Sequence, residues 1–238
     1  DSTFTAAYKA TSTVATGTQT DVQNLKVTNQ GSINTKTDGT TNAKFMTVDI
    51  DKVETLAITT AGTANSLNLS DSADVKTITV TGEGQTEIKA VGAAVTSFDA
   101  SAATGKVIAN LSNAASDSLT TVKGGSSDDS LTVVAADLTA SATVAGGAGS
   151  DKLIIGAGAG KTVQLAMTGV ETLEVGAISS ALTFSGTNVS DLTTLKVEGL
   201  ASTVSLVNSK ATDLTVNSVG INGQAISTDN AAKVTYNM

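Results

Sequence analysis

Lys52-Val-Glu-Thr-Leu-Ala-Ile58 returns 22 residues later as Asp74-Val-Lys-Thr-Ile-Thr-Val80. The same phrase stands upstream as Asp21-Val-Gln-Asn-Leu-Lys-Val27. It stands downstream as Gly169-Val-Glu-Thr-Leu-Glu-Val175 and Asp191-Leu-Thr-Thr-Leu-Lys-Val197. Each copy ends in a short alternation of apolar and polar residues, which is the period of a β-strand. A phrase that recurs at near-constant spacing implies one supersecondary unit stacked many times.

Two interleaved apolar series extend the phrase. One runs Leu56, Ile78, Phe98, Leu119 and then, more loosely, Val144, Val163, Leu182 and Val204. The other runs Leu67, Ile88, Ile108, Leu131, Leu153, Leu173, Leu195, Leu214 and Val234. They are offset by half a period, so one coil of about 20–22 residues holds two short strands and two turns. The expected fold is all-β, a parallel β-solenoid over residues 51–238. Residues 1–50, less regular and Thr-rich at 11–20, are expected to form an irregular N-terminal cap or leading segment. The alternative is an antiparallel β-sandwich, whose strands also recur every 8–12 residues. Tight hairpin signals are sparse, at Asp38-Gly39 and Asn222-Gly223, which tilts the reading toward the solenoid.

Composition agrees. The 238 residues are 40% hydrophobic but only 3% aromatic, without Trp. A compact globule fills its centre with rings. A solenoid needs only a thin core of Val, Ile, Leu and Ala. The net charge is −8, and all 14 cationic residues are Lys. Without Arg or a basic cluster, nucleic-acid binding is not expected. The absence of Cys removes disulfides and thiolate metal sites. Asp1 opens the sequence, which reads as a processed product or an excised piece, with any secretion signal lying outside it. No apolar run approaches the roughly 20 residues of a membrane span, so no transmembrane segment is expected.

The most specific local signal is Gly146-Gly-Ala-Gly-Ser-Asp-Lys-Leu-Ile154. It matches the calcium nonapeptide Gly-Gly-x-Gly-x-Asp-x-apolar-x at every fixed position. A degenerate copy, Gly124-Gly-Ser-Ser-Asp-Asp-Ser-Leu-Thr132, stands 22 residues earlier, with Ser127 in place of the fourth-position glycine. Glycines let a tight backbone turn its carbonyls inward. Calcium takes six to eight oxygens, and carbonyls plus carboxylates supply them. Asp129 and Asp151 should therefore share one edge of adjacent coils, with a cation relieving their repulsion, and Asp128 is a further candidate ligand. Glu171, Asp191 and Asp213 could prolong the acidic column. The competing reading is that each Asp hydrogen-bonds its own turn.

On these two nonapeptides, the Val-Glu-Thr-Leu phrases at 53–56 and 170–173, and the Thr/Ala/Gly-rich, Cys-free composition, the chain resembles the RTX-type surface-layer proteins of Gram-negative bacteria. The resemblance implies an extracellular structural protein that folds with Ca2+ and assembles with copies of itself into a lattice on the cell surface. It also implies possible anchoring to lipopolysaccharide through another region of the parent chain. It would place metal ligands on the carbonyls of Gly124, Ser126, Gly146 and Ala148 and on the side chains of Asp129 and Asp151. The nonapeptides are not in tandem, so calcium at every turn of a nine-residue β-roll is not expected. The alternative within the same chemistry is a calcium-stiffened spacer repeat of a large secreted adhesin.

Other motifs fail. Gly156-Ala-Gly-Ala-Gly-Lys-Thr162 resembles a phosphate loop, but Ile155 stands where that loop needs its first glycine. The chain has no His, no Cys and no Arg, and no Lys stands three residues after a Ser. An enzyme is not expected.

Overall fold

The computed structural model describes residues 21–30, 41–156, 166–176 and 191–198, together with isolated strand segments at 3–7, 32–35, 162–163, 182–185, 204–207, 213–219, 226–228 and 233–237. The chain is an all-β, parallel β-solenoid of about 20–22 residues per coil. One sheet stacks eleven strands and a second stacks seven. Neighbours in both are parallel, as in Thr55–Ala61 beside Thr77–Gly82 and Lys152–Ile155 beside Thr172–Val175. A sandwich of antiparallel hairpins is not what forms. The one antiparallel pair among the described residues joins Ser32–Thr35 to Thr41–Lys44.

The ladder reaches back into residues 1–50. Val22–Thr28 pairs in parallel with Thr55–Ala61, and Met46–Asp51 with Thr3–Ala7 and Ala64–Asn68. The reason is visible in the phrase at 21–27, which carries the same apolar alternation as the later copies. Leu25 and Val27 duly point into the core.

Each strand contributes alternate residues to a core that continues from coil to coil. In the seven-stranded sheet Leu56, Ile78, Phe98, Val122 and Val144 lie in register and are fully buried. In the eleven-stranded sheet the row is Leu67, Ile88, Ala109, Leu131, Leu153, Leu173 and Leu195. Burying one such aliphatic side chain is worth about 1.5–3 kcal/mol, so each coil is held mainly by its two neighbours.

Several steps differ from the expected series: Val144 pairs with Met167 and not Val163, and Val163 with Phe184 and not Leu182. Phe98 pairs with Val122, not Leu119, and register shifts fall in the two adjoining strand pairs, between Asp99 and Ala102 and between Leu119 and Thr121. Ala109 takes the inward place expected of Ile108, which stands half-exposed. A slip of one residue sends a side chain to the opposite face, and here the strand Val107–Asn110 buries Val107 and Ala109. Leu195 pairs with Val216, two residues beyond Leu214.

The phrase also fixes how coils are joined. Its first residue sits at φ 61° in Lys52 and 57° in Gly169. That left-handed turn exposes a backbone N–H, and the next coil satisfies it. Lys52 N donates to Asp74 Oδ2 at 2.8 Å, and Gly169 N donates to Asp191 Oδ2 at 2.8 Å. Both bonds are exposed and involve a carboxylate, so each adds a modest link between neighbouring coils.

Candidate metal centre

The glycine turns link the two sheets. The first follows the strand Leu119–Lys123 and delivers Asp129 to the start of Ser130–Val133. The second follows Leu138–Ala145 and delivers Asp151 to the start of Lys152–Ile155. Ser130 and Lys152 are in register, so the aspartates preceding them stack one above the other, as the 22-residue spacing predicts. Both are 2% exposed.

Stacked coils approach so closely at these turns that a side chain has no room. A Cβ at Gly146 would collide with the carbonyl oxygen of Gly169 and lie 2.7 Å from Asp151 Oδ2. A Cβ at Gly124 would collide with the carbonyl of Gly146 and lie 2.7 Å from Asp129 Oδ2. The glycines therefore serve coil stacking directly, and in each turn a carbonyl from the following coil is brought beside the carboxylate.

The carboxylates form a cross-coil ladder. Asp129 Oδ1 accepts the N–H of Val107 at 2.7 Å, and its Oδ2 accepts that of Gly125. Asp151 Oδ1 accepts the N–H of Asp129 at 2.7 Å. Glu171 Oε2 accepts the N–H of Asp151 at 2.7 Å. Each acid thus holds the backbone of the coil before it. Asp151 Oδ2 differs: it is buried and has no hydrogen-bond partner.

Burial raises the pKa of both aspartates. For Asp129 the N–H groups of Gly125 and Val107 oppose the effect. Asp151 is pushed up to about 6, first by burial and further by the charges of Asp129, Glu171 and Asp128, against the help of the Asp129 N–H. A buried carboxylate with one bare oxygen is a group that gains from a proton or a cation.

Of the carbonyls expected as ligands, that of Gly146 lies beside Asp129. Asp128 is exposed, and its Oδ1 accepts the N–H of Ser150 at 2.8 Å. Ser126 donates its backbone N–H to Ala103 O, and Ala148 donates to Gly125 O. Gly124 and Gly146 donate to Ala145 O and Thr168 O. Among the described residues no three acidic side chains converge on one point. Any ion at this corner would rest on one carboxylate with carbonyls and water. Asp151 Oδ2 fits that requirement. Asp129, with both oxygens engaged by N–H groups, does not.

One member of the corner was not singled out from sequence. Gly169 supplies the carbonyl beside Asp151, and its only signal was its place one coil beyond Gly146-Gly147. Glu171 prolongs the Asp129–Asp151 row, whereas Asp191 accepts from Gly169 N in a separate row. The side chain of Asp213 lies outside the described residues.

No protein-family model matches the chain, and comparison with curated proteins and with solved structures finds no match.

Proposed function

We propose that this chain is a structural module of a secreted, calcium-binding protein that assembles with copies of itself into a bacterial surface layer. The observation that carries the reading is the continuous parallel ladder with a corner of stacked, buried carboxylates, one of which keeps a bare oxygen. A stacked solenoid presents extended faces and gains stiffness with every coil, which suits a load-bearing coat. Calcium would act at the corner by neutralising Asp151. Because it would bind only the folded form, it would stabilise that form by mass action. The glycine turns and the phrase at 52–58 and 169–175 carry the resemblance that points to the cell surface.

Electron microscopy of the purified protein in millimolar calcium and in chelator tests the assembly. Ordered sheets that dissolve in chelator support the coat. A monomer in both conditions would remove the coat and leave the adhesin spacer. Melting curves taken in the same two buffers test the metal separately, and identical curves would sink it.

A further inference from the structure

We propose that the two glycine turns are unequal: the turn at 146–151 holds one divalent cation on Asp151 Oδ2 and the neighbouring Gly169 carbonyl, and the turn at 124–129 holds none. The inference deepens the calcium reading above and rests on it. It departs from what the two nonapeptides suggest, which is a ligand in each.

The difference begins with one residue. Gly147 and Gly149 adopt φ of +115° and +125°, a region that side chains rarely enter. The earlier turn carries Ser127 in the place of Gly149, and neither Gly125 nor Ser127 has a positive φ. Its backbone takes another path, and along that path the Gly125 N–H meets Asp129 Oδ2. With Val107 N on Oδ1, the carboxylate of Asp129 has an N–H against each oxygen. A cation there would face the positive ends of two peptide dipoles and would have to displace one of them.

Asp151 lacks that second donor. Its Oδ1 is held by Asp129 N at 2.7 Å, which fixes the carboxylate, while Oδ2 is bare and buried. The Gly169 carbonyl oxygen and Asp151 Oδ2 flank the same point beside Gly146, as the Gly146 carbonyl oxygen and Asp129 Oδ2 flank Gly124, so the turns differ in the second N–H donor and not in the carbonyl. A carbonyl and a carboxylate oxygen that has no donor together suit a cation. Residues 147–150 of the same turn are exposed, which keeps solvent close to the corner. Asp129 in this view is a cross-coil anchor that resembles a ligand in sequence.

Calcium titration by calorimetry, with magnesium as the comparison ion, decides the matter on the full chain. The wild type should take up one calcium per chain. Asp151→Asn should weaken uptake at least about tenfold, since a carboxylate ligand is lost. Asp129→Asn should still bind one ion with affinity within about threefold of wild type, although it melts lower in calcium and chelator alike. Two ions on the wild type, or loss of the ion in Asp129→Asn, would overturn the inequality while leaving calcium binding intact. No uptake by the wild type would bring down the calcium reading itself. The wild-type stoichiometry needs no variant, so the test stands even if Asp129→Asn fails to fold.

Discussion

The same corner of the coil is built twice in this molecule, in different chemistry. In the N-terminal coils it is closed by neutral groups. Asn65 donates to Ala61 O at 3.0 Å and Gln85 O at 3.3 Å, and its Oδ1 accepts from Gln30 N. Thr86 donates to the hydroxyl of Thr60, which reaches Gly84 O at 3.0 Å. In the C-terminal coils Asp129, Asp151 and Glu171 do the corresponding work with carboxylates. Both solutions join one coil to the next, and both bury polar side chains, namely Asn65, Thr60 and Thr86 in one and Asp129 and Asp151 in the other. The neutral network can donate and accept, so it is complete in itself. The carboxylate ladder can only accept, so its charge accumulates along the stack and calls for a proton or a cation.

The largest expected effect tests how tightly the acidic corner is stacked. Gly146→Ala places a methyl group against the Gly169 carbonyl, which is backbone and cannot swing aside. Gly156→Ala meets nothing nearer than Val133 O at 3.5 Å. The first should cost several kcal/mol, at or above the usual range of about 0.5–3 for single substitutions, and the second well under about 1. Chemical denaturation of the two variants checks the ratio. Equal losses would mean that the close approach is relieved by a shift of the whole turn.

Exchanging the two chemistries should hurt in both directions. Asn65→Asp turns two donors into an oxygen facing Ala61 O and Gln85 O, and Asp129→Asn turns an oxygen into an amide facing an N–H. Each should lower stability by about 2–3 kcal/mol, the cost of charged hydrogen bonds or of unsatisfied buried groups. Thermal melts at neutral and acidic pH separate them. Asn65→Asp should recover on acidification, because a protonated carboxyl can donate, and Asp129→Asn should not.

The pH response should come from the acidic corner. The folded pKa of Asp151 lies near 6, above its ordinary value of 3.8. Between those values the folded state holds a proton that the unfolded state has released. Stability of the metal-free protein from this group is therefore highest below pH 4 and declines as pH rises to about 6. Asp129 shifts in the same direction. Denaturation in chelator across this window should show the decline in wild type and a flatter profile in Asp151→Asn. Parallel profiles would show that the charge is relieved elsewhere.

Glu171→Gln is the mildest probe. It keeps an acceptor for the Asp151 N–H and removes one of the charges pressing on Asp151. A change of less than about 1 kcal/mol is expected. The apparent pKa of Asp151, followed by carboxyl carbon NMR, should fall. An unchanged pKa would leave burial and the charges of Asp129 and Asp128 as its causes.

Much of this architecture is legible in the chain because a stacked fold repeats its instructions. The phrase at 52–58 and 74–80 declares strand, period and inward residues together. The errors fall where local pattern and stacking disagree. Ile108 is the larger apolar residue, yet Ala109 is in register with Ile88 and Leu131, and only the neighbouring coils settle that. Phe98 and Leu119 are well spaced, but their strands pair with Phe98 opposite Val122. At the corner, the glycines and Asp129–Asp151 stand out as a motif. The identity of each hydrogen-bond donor does not, because Val107 meets Asp129 only through the stacking of coils 22 residues apart. The inequality of the two turns was written in Ser127 against Gly149, a difference whose meaning depends on a backbone path.

The regular spacing of the ladder bears on how such a chain can change length. Asp129 and Asp151 occupy equivalent places, and the strands they open, Ser130–Val133 and Lys152–Ile155, lie in register. Every carboxylate in the row finds its N–H 20 or 22 residues upstream. A residue added or lost inside a strand turns that strand over, and the one- or two-residue differences between coils are taken up in the turns, whereas adding or losing a full circuit meets an equivalent junction. The molecule is in this respect quantised: it can grow or shrink by whole circuits, and its length is a whole number of them rather than a property fixed by any one core.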